Sequence, residues 1–219
     1  MGDTAGSGGL GRRRLLVATR SRHKLRELTE LLHLPDTELV SPDDVGIPDE
    51  PEETGETFEA NASLKARYYA RLSGLPTLAD DSGLEVDALG GGPGVRTRRY
   101  SGPDATDTSN NAKLLRELDG VPAEQRGARY VCVLALALPE AAGVRGGLGT
   151  VTRRGTCRGR IATETRGTGG FGYDPLFEPA GQPPGGETLG QWSAEAKHTI
   201  SHRSRAARAM APVLRELGF

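Results

Sequence analysis

Leu15-Leu16-Val17-Ala18-Thr19-Arg20-Ser21-Arg22-His23-Lys24-Leu25-Arg26-Glu27-Leu28 opens on an apolar run and passes, through a short polar turn, into a helical pattern. A short unbroken apolar run reads as a buried strand. Leu25, Leu28, Leu31 and Leu32 then fall on one helix face, Ser21 supplies an N-cap and Pro35 marks the stop. A buried strand feeding directly into a capped helix sets the expectation of an α/β fold. Downstream, residues 42–56 are acidic and turn-rich, and a second helix is expected over about Phe58 to Leu72, ended by Gly74 and Pro76. Thr77 to Ala79 reads as a strand, Asp107 to Leu118 as a helix, Arg129 to Leu138 as the strongest strand, and Val151 to Ala162 as a hairpin turning near Gly155 or Gly159. The last helix covers roughly Arg203 to Leu217. No helix separates the middle strands, so the central sheet is expected to be mixed and strongly bent, flanked by helices, rather than plainly parallel.

Composition narrows the function classes. The chain has 219 residues, 28 Lys+Arg and 29 Asp+Glu, a balance that gives no reason to expect a nucleic-acid partner. Residues 1–13 are Gly-rich, end in arginines and lack the apolar core of a signal peptide, so they read as a disordered tail before one domain over 14–219. The longest apolar run, Val131 to Leu138, is too short to span a bilayer, and no membrane partner is expected. Cys132 and Cys157 form neither a disulfide framework nor a zinc site, which suits a reducing cytoplasm.

Four segments carry polar groups that chemistry could use. In Thr19-Arg20-Ser21-Arg22-His23-Lys24 a helix N-terminus meets hydroxyls and cations, a combination suited to phosphates. An ordinary N-cap with a solvated basic turn accounts for it as well, and it lacks the Gly-rich Walker pattern. The second segment, Glu52-Glu53-Thr54-Gly55-Glu56-Thr57-Phe58, leads to Asn61 and Lys65 on one helix face. Acidic residues there complement the helix dipole, and one could also be a metal ligand. The third, Ala79-Asp80-Asp81-Ser82-Gly83, places two carboxylates at the end of the expected strand. Alternation sends them to opposite sides, one to a site and one to the scaffold, and magnesium would relieve their repulsion. An acidic turn is the alternative, though a turn needs one Asp rather than two. The fourth joins the loop Gly167 to Pro175, holding Phe171 and Tyr173 as stacking surfaces, to Ser201-His202-Arg203, whose donors suit carbonyl oxygens. Taken together, the segments suggest a nucleoside triphosphate hydrolase.

These residues resemble the inosine/xanthosine triphosphate pyrophosphatase family from Leu15 to about Leu217. The resemblance rests on E-T-G-x-T-F-x-x-N-A-x-x-K-A at Glu53 to Ala66, A-D-D-S-G-L at Ala79 to Leu84 and G-x-P-G-V at Gly91 to Val95. R-Y-S-G at Arg99 to Gly102, G-G-F-G-Y-D-P at Gly169 to Pro175 and S-H-R at Ser201 to Arg203 complete it. It implies two lobes with a central substrate cleft, a homodimer, and hydrolysis of ITP, dITP and XTP between the α and β phosphates, which cleanses the nucleotide pool. By position, Thr19, Arg20, Ser21, Arg22, His23 and Lys24 would hold the triphosphate. Glu53 and Asp81 would hold Mg2+, with Asp81 also the catalytic base and Glu52 a substitute for Glu53. Asn61, Lys65 and Ser82 are placed with the substrate contacts. Phe171, Gly172, Tyr173, Asp174, Lys197, His202 and Arg203 would form the base pocket. The chain departs from the family in two places: Thr19-Arg20-Ser21 stands where Thr-Gly-Asn is common, and Thr97-Arg98 where Ser-Ala is common.

Two other readings compete. A related pyrophosphatase could act on modified pyrimidine triphosphates, but the S-H-R and F-G-Y-D-P segments favour keto purines. A nucleotide-binding or nucleic-acid-binding module without turnover would not place Asp80 and Asp81 beside phosphates, which carboxylates repel unless a metal intervenes.

Overall fold

The computed structural model describes residues 12–139 and 150–219. Its sheet is mixed, with strands β1 (Arg13–Ala18), β2 (Thr37–Val40), β3 (Thr77–Val86), β4 (Gly127–Ala137), β5 (Val151–Ile161) and β6 (Phe177–Pro179). They lie in the order β2-β1-β3-β4-β5-β6, parallel across β2-β1-β3 and antiparallel across the rest. The helices are α1 (Arg22–Leu32), α2 (Phe58–Ser73), α3 (Asp107–Glu117), α4 (Ala194–Ile200) and α5 (His202–Glu216). This is the mixed α/β architecture expected from the sequence. Of the tail expected over 1–13, residues 1–11 lie outside the described residues, and Arg13 is the first residue of β1.

Helices cover both faces of the sheet, so β3 and β4 are apolar on both sides. On one face Ala62, Ala66, Tyr69 and Ala70 of α2 pack on Ala79, Val131 and Val133. On the other, Leu28 and Leu32 of α1 and Ala206, Ala207, Met210 and Leu214 of α5 pack on Leu78, Cys132 and Leu134. A third cluster surrounds the far ends of the long strands, with Leu84, Val86, Tyr130, Tyr173, Leu176 and Phe177. The helix ends follow the sequence signals. Ser21 caps α1, Thr57 and the left-handed Gly74 bound α2, Thr106 caps α3 and Ser201 caps α5.

Two expectations need correction. The hairpin over 151–162 is instead one continuous strand, paired with β4 from Leu136↔Val151 to Gly127↔Arg160. Its glycines serve close packing rather than a turn. A Cβ on Gly155 would meet the His202 carbonyl oxygen at 2.1 Å, and one on Gly159 the Glu178 carbonyl oxygen at 2.2 Å. The strand expected over Thr77 to Ala79 runs on to Val86, so Asp80 and Asp81 lie inside it and do not close it. Strands β2 and β6 and helix α4 had no sequence-based counterpart, being four, three and seven residues long.

Candidate active site

The sheet register creates the site. β1 ends at Ala18, which lies beside Ala79. Asp80 and Asp81 are therefore the first β3 residues beyond the end of β1, next to the turn that opens α1. Ligands of α/β sheets commonly sit outside such carboxyl ends.

Alternation along β3 turns the two carboxylates to opposite faces. Asp81 faces α2. Its Oδ1 accepts from Lys65 Nζ at 2.9 Å, and the same ammonium donates to Glu53 Oε1 at 2.7 Å and to the Asp80 carbonyl at 2.9 Å. Asp81 Oδ2 is buried and has no hydrogen-bond partner among the described residues. Burial pushes the Asp81 carboxyl up, and the nearby Lys65 and Lys24 do not cancel that shift. Burial acts the same way on Glu53, but there Lys65 prevails and holds the carboxyl below its usual range. Glu52 is exposed, so it is Glu53 that reaches Lys65.

Asp80 faces α1 and α5 and is fully enclosed. Lys24 Nζ lies 2.6 Å from Oδ1, Arg203 Nε donates to Oδ2 at 2.8 Å, and the Ser82 hydroxyl and Cys132 thiol also donate. Burial would raise this carboxyl, but Arg203 and Lys24 outweigh it and hold it well below the normal range. Charges alternate onward. Arg203 Nη1 pairs with Glu27, Glu27 with Lys197 at 3.1 Å, and Lys197 with Asp174 at 2.8 Å. Glu27 had no place in the sequence reading. Its one signal is its position three residues after Lys24, on the same face of α1.

The aromatic loop lies at the end of this chain of charges. Phe171 is partly exposed, with the His23 ring stacked at 5.3 Å and Lys197 Nζ 4.6 Å from its centroid. Its backbone N–H donates to Asp174 Oδ2 at 3.0 Å. Gly172 is clamped on both sides by α3, which the sequence reading left out of the site: its N–H donates to Asp107 at 2.7 Å and its carbonyl accepts from Asn111 at 3.0 Å. Tyr173 is not a free stacking surface. It is buried in the third apolar cluster and donates to the Thr97 carbonyl at 2.8 Å. Thr97 also accepts from the Leu84 N–H through its hydroxyl at 3.2 Å, so this departure from the family's Ser keeps a working oxygen.

His202 is buried against Tyr130, ring on ring at 4.7 Å, and its Nδ1 has no partner among the described residues. Burial, with Arg203 and Lys197 nearby, holds its pKa well below the usual value and keeps it neutral. Arg203 uses one N–H on each of its three nitrogens, to Asp80, Glu27 and Ser82, which leaves one N–H on each Nη.

Other expected residues have the following contacts. Arg20 binds the loop after β2, through Asp43, Ile47 and Pro48. Asn61 is buried, with its amide spent on the N–H and C=O of Gly55. Thr19 accepts from the Ser21 N–H, Ser21 caps α1, and Arg22 is exposed.

The residues present fit a magnesium ion. Two carboxylates from different elements converge within reach of one ammonium, and one of them keeps a buried oxygen without a partner. Among the described residues no group of three or more His, Cys, Asp or Glu side chains could by itself hold a metal ion. Magnesium held by one or two carboxylates plus substrate phosphates does not require such a cluster. No helix among the described residues is long and apolar enough to cross a membrane.

Known proteins resemble this chain in sequence and in fold. The sequence pattern of the Ham1 family matches residues 15–213. A protein of an Anaeromyxobacter species named dITP/XTP pyrophosphatase is 46% identical, covering 93% of this chain and 97% of its own length. One of the same name from Geobacter sulfurreducens is 50% identical over 88% of this chain and 92% of its own. Among solved structures, a HAM1 protein from Coxiella burnetii superposes with TM-score 0.81 at 37% identity, covering 93% of this chain and 99% of that one. A nucleoside-triphosphatase / dITP/XTP pyrophosphatase from Mycobacterium abscessus superposes with TM-score 0.72 at 44% identity, covering 91% and 99%.

Proposed function

The chain belongs to the Ham1 family, and from that premise we propose that it hydrolyses the non-standard purine triphosphates dITP, ITP and XTP to a monophosphate and pyrophosphate. The observation that carries this reading is the convergence of Glu53, Asp81 and Lys65 beside Lys24 and the capped N-terminus of α1. Glu53 and Asp81 would hold magnesium, which supplies charge neutralisation at the phosphates and acidifies water. Asp81 takes the proton of the attacking water, with its buried Oδ2 unengaged by any described residue. The water oxygen bonds to the α-phosphorus as the bond to the bridging oxygen breaks. Pyrophosphate leaves with that electron pair, and Lys24 and the free N–H groups of α1 stabilise its charge. Lys65, held between the two carboxylates, keeps them in place and meets the phosphate chain.

Phe171 offers the base a stacking face. The neutral His202 and the remaining Arg203 N–H groups supply donors toward an oxygen on carbon 6. Adenine presents an amino group there, and two facing donors left unpaired cost about 1–3 kcal/mol each. We further infer a cleft between two lobes, a homodimer and a cytoplasmic location, supported by the family resemblance and the two free cysteines.

Asp81→Asn tests the mechanism. Pyrophosphate release from ITP at saturating magnesium should fall about 10²–10⁴-fold, the usual contribution of a positioned base. Retention of most of the activity would remove Asp81 from the chemistry.

A further inference from the structure

Arg20 stands in the turn between β1 and α1, where the triphosphate is placed, yet its guanidinium is committed to another segment. Nη1 donates to Asp43 Oδ1 at 2.5 Å, and Nη2 donates to the carbonyls of Ile47 at 2.8 Å and Pro48 at 2.7 Å. Nε lies 2.9 Å from the Glu50 carboxylate. All these partners belong to the loop that delivers Glu53. The Tyr69 hydroxyl, from α2, pins the same loop by donating to the Asp49 carbonyl at 3.1 Å. Beyond Glu53, Asn61 holds Gly55 by its N–H at 2.8 Å and its C=O at 3.2 Å. Glu53 thus lies in a short span fixed at both ends, with Arg20 as the only link to the phosphate turn among these contacts.

We propose that Arg20 is a positioning residue that fastens the Glu53 loop to the phosphate turn, so that Glu53 stands 2.7 Å from Lys65 before substrate arrives. The proposal rests on the reading of Glu53 as a magnesium ligand. Two features separate it from a phosphate-binding role. Three of the five Arg20 N–H groups are engaged by oxygens of the loop, and the carboxylates of Asp43 and Glu50 cancel the charge that would attract a phosphate. The glycine common here in the family cannot make this link. Lysine keeps the charge but lacks the planar fork that reaches several acceptors together.

The test compares the full-length chain with Arg20→Gly and Arg20→Lys. Amide hydrogen exchange, followed without nucleotide, should rise in residues 47–56 of Arg20→Gly by about tenfold or more, as expected from losing charge-assisted hydrogen bonds. Exchange in β4 should not change. The magnesium concentration for half-maximal ITP hydrolysis should rise about tenfold, the lower end of what losing an outer-shell partner costs in metal affinity. KM for ITP at saturating magnesium should hold, and Arg20→Lys should recover part of both losses. Unchanged exchange in 47–56 overturns the proposal. So does a KM for ITP that rises at saturating magnesium while the metal requirement stays put, which would make Arg20 a phosphate ligand. If the parent protein releases no pyrophosphate from ITP, the functional reading fails instead, and the exchange comparison still decides whether Arg20 fastens the loop.

Discussion

Asp80 and Asp81 are neighbours in β3 whose carboxylates form ion pairs with different cations, and the difference decides what a substitution does at each. Lys24 is shared ground. It lies 2.6 Å from the enclosed Asp80 and also faces the phosphate position. Lys24→Ala should therefore weaken ITP use and also destabilise the fold, by on the order of 1–3 kcal/mol, because Asp80 loses a partner in a buried place. Urea unfolding beside steady-state kinetics checks both, and an unaltered unfolding midpoint would show that Arg203 alone satisfies Asp80. His202 makes a pH prediction. Its folded pKa is well below the usual histidine value of 6.5, so below pH 6.5 the unfolded chain binds a proton that the folded chain refuses. Stability is then fully present above pH 6.5 and is lost as pH falls toward the folded pKa, by up to about 1.4 kcal/mol per pH unit. Unfolding free energies of the parent and His202→Phe between pH 6.5 and 5 should show a steeper slope in the parent. Equal slopes would mean that His202 takes up its proton while folded.

At the scale of elements, the site depends on helices pressed close to the sheet. Gly155 lets α5 approach β5 until the His202 carbonyl lies where a Cβ would stand. Gly155→Ala should force α5 outward, cost about 1–3 kcal/mol as overpacking does, and disturb His202 and Arg203 at the helix start. A parent-like melting temperature and activity would show that the contact relaxes freely. The same glycine explains why a hairpin was expected over 151–162: a glycine that admits a neighbouring backbone and one that turns a chain look alike in sequence. The long, capped helices α1, α2, α3 and α5 were legible because their caps and apolar faces are local signals. β3 was cut short because Asp80 and Asp81 read as a strand end. They stay in the strand because Lys24, Lys65 and Arg203 reach them from three different helices, information that lies far away in the chain.

For the whole molecule, the mixed sheet and the residue types of the site were readable, and the resemblance gathered Glu53, Asp81, Lys65 and the aromatic loop into one place. The fold adds what no motif states. Glu27 links Arg203 to Lys197, α3 clamps Gly172, Asn61 and Arg20 hold the Glu53 loop, and Tyr173 belongs to the core. We propose that this assembly opens the α–β phosphate bond of keto-purine nucleoside triphosphates in a magnesium-dependent reaction. Pyrophosphate release from ITP, dITP, XTP, ATP and a modified pyrimidine triphosphate, each with magnesium and with excess chelator, tests it most directly. Release from ITP, dITP and XTP should be rapid with magnesium, release from ATP slower by roughly tenfold to several-thousand-fold because of its unpaired donors, and no release should occur under chelation. Equal use of ATP and ITP, faster use of the pyrimidine, or undiminished release without a divalent metal would contradict it.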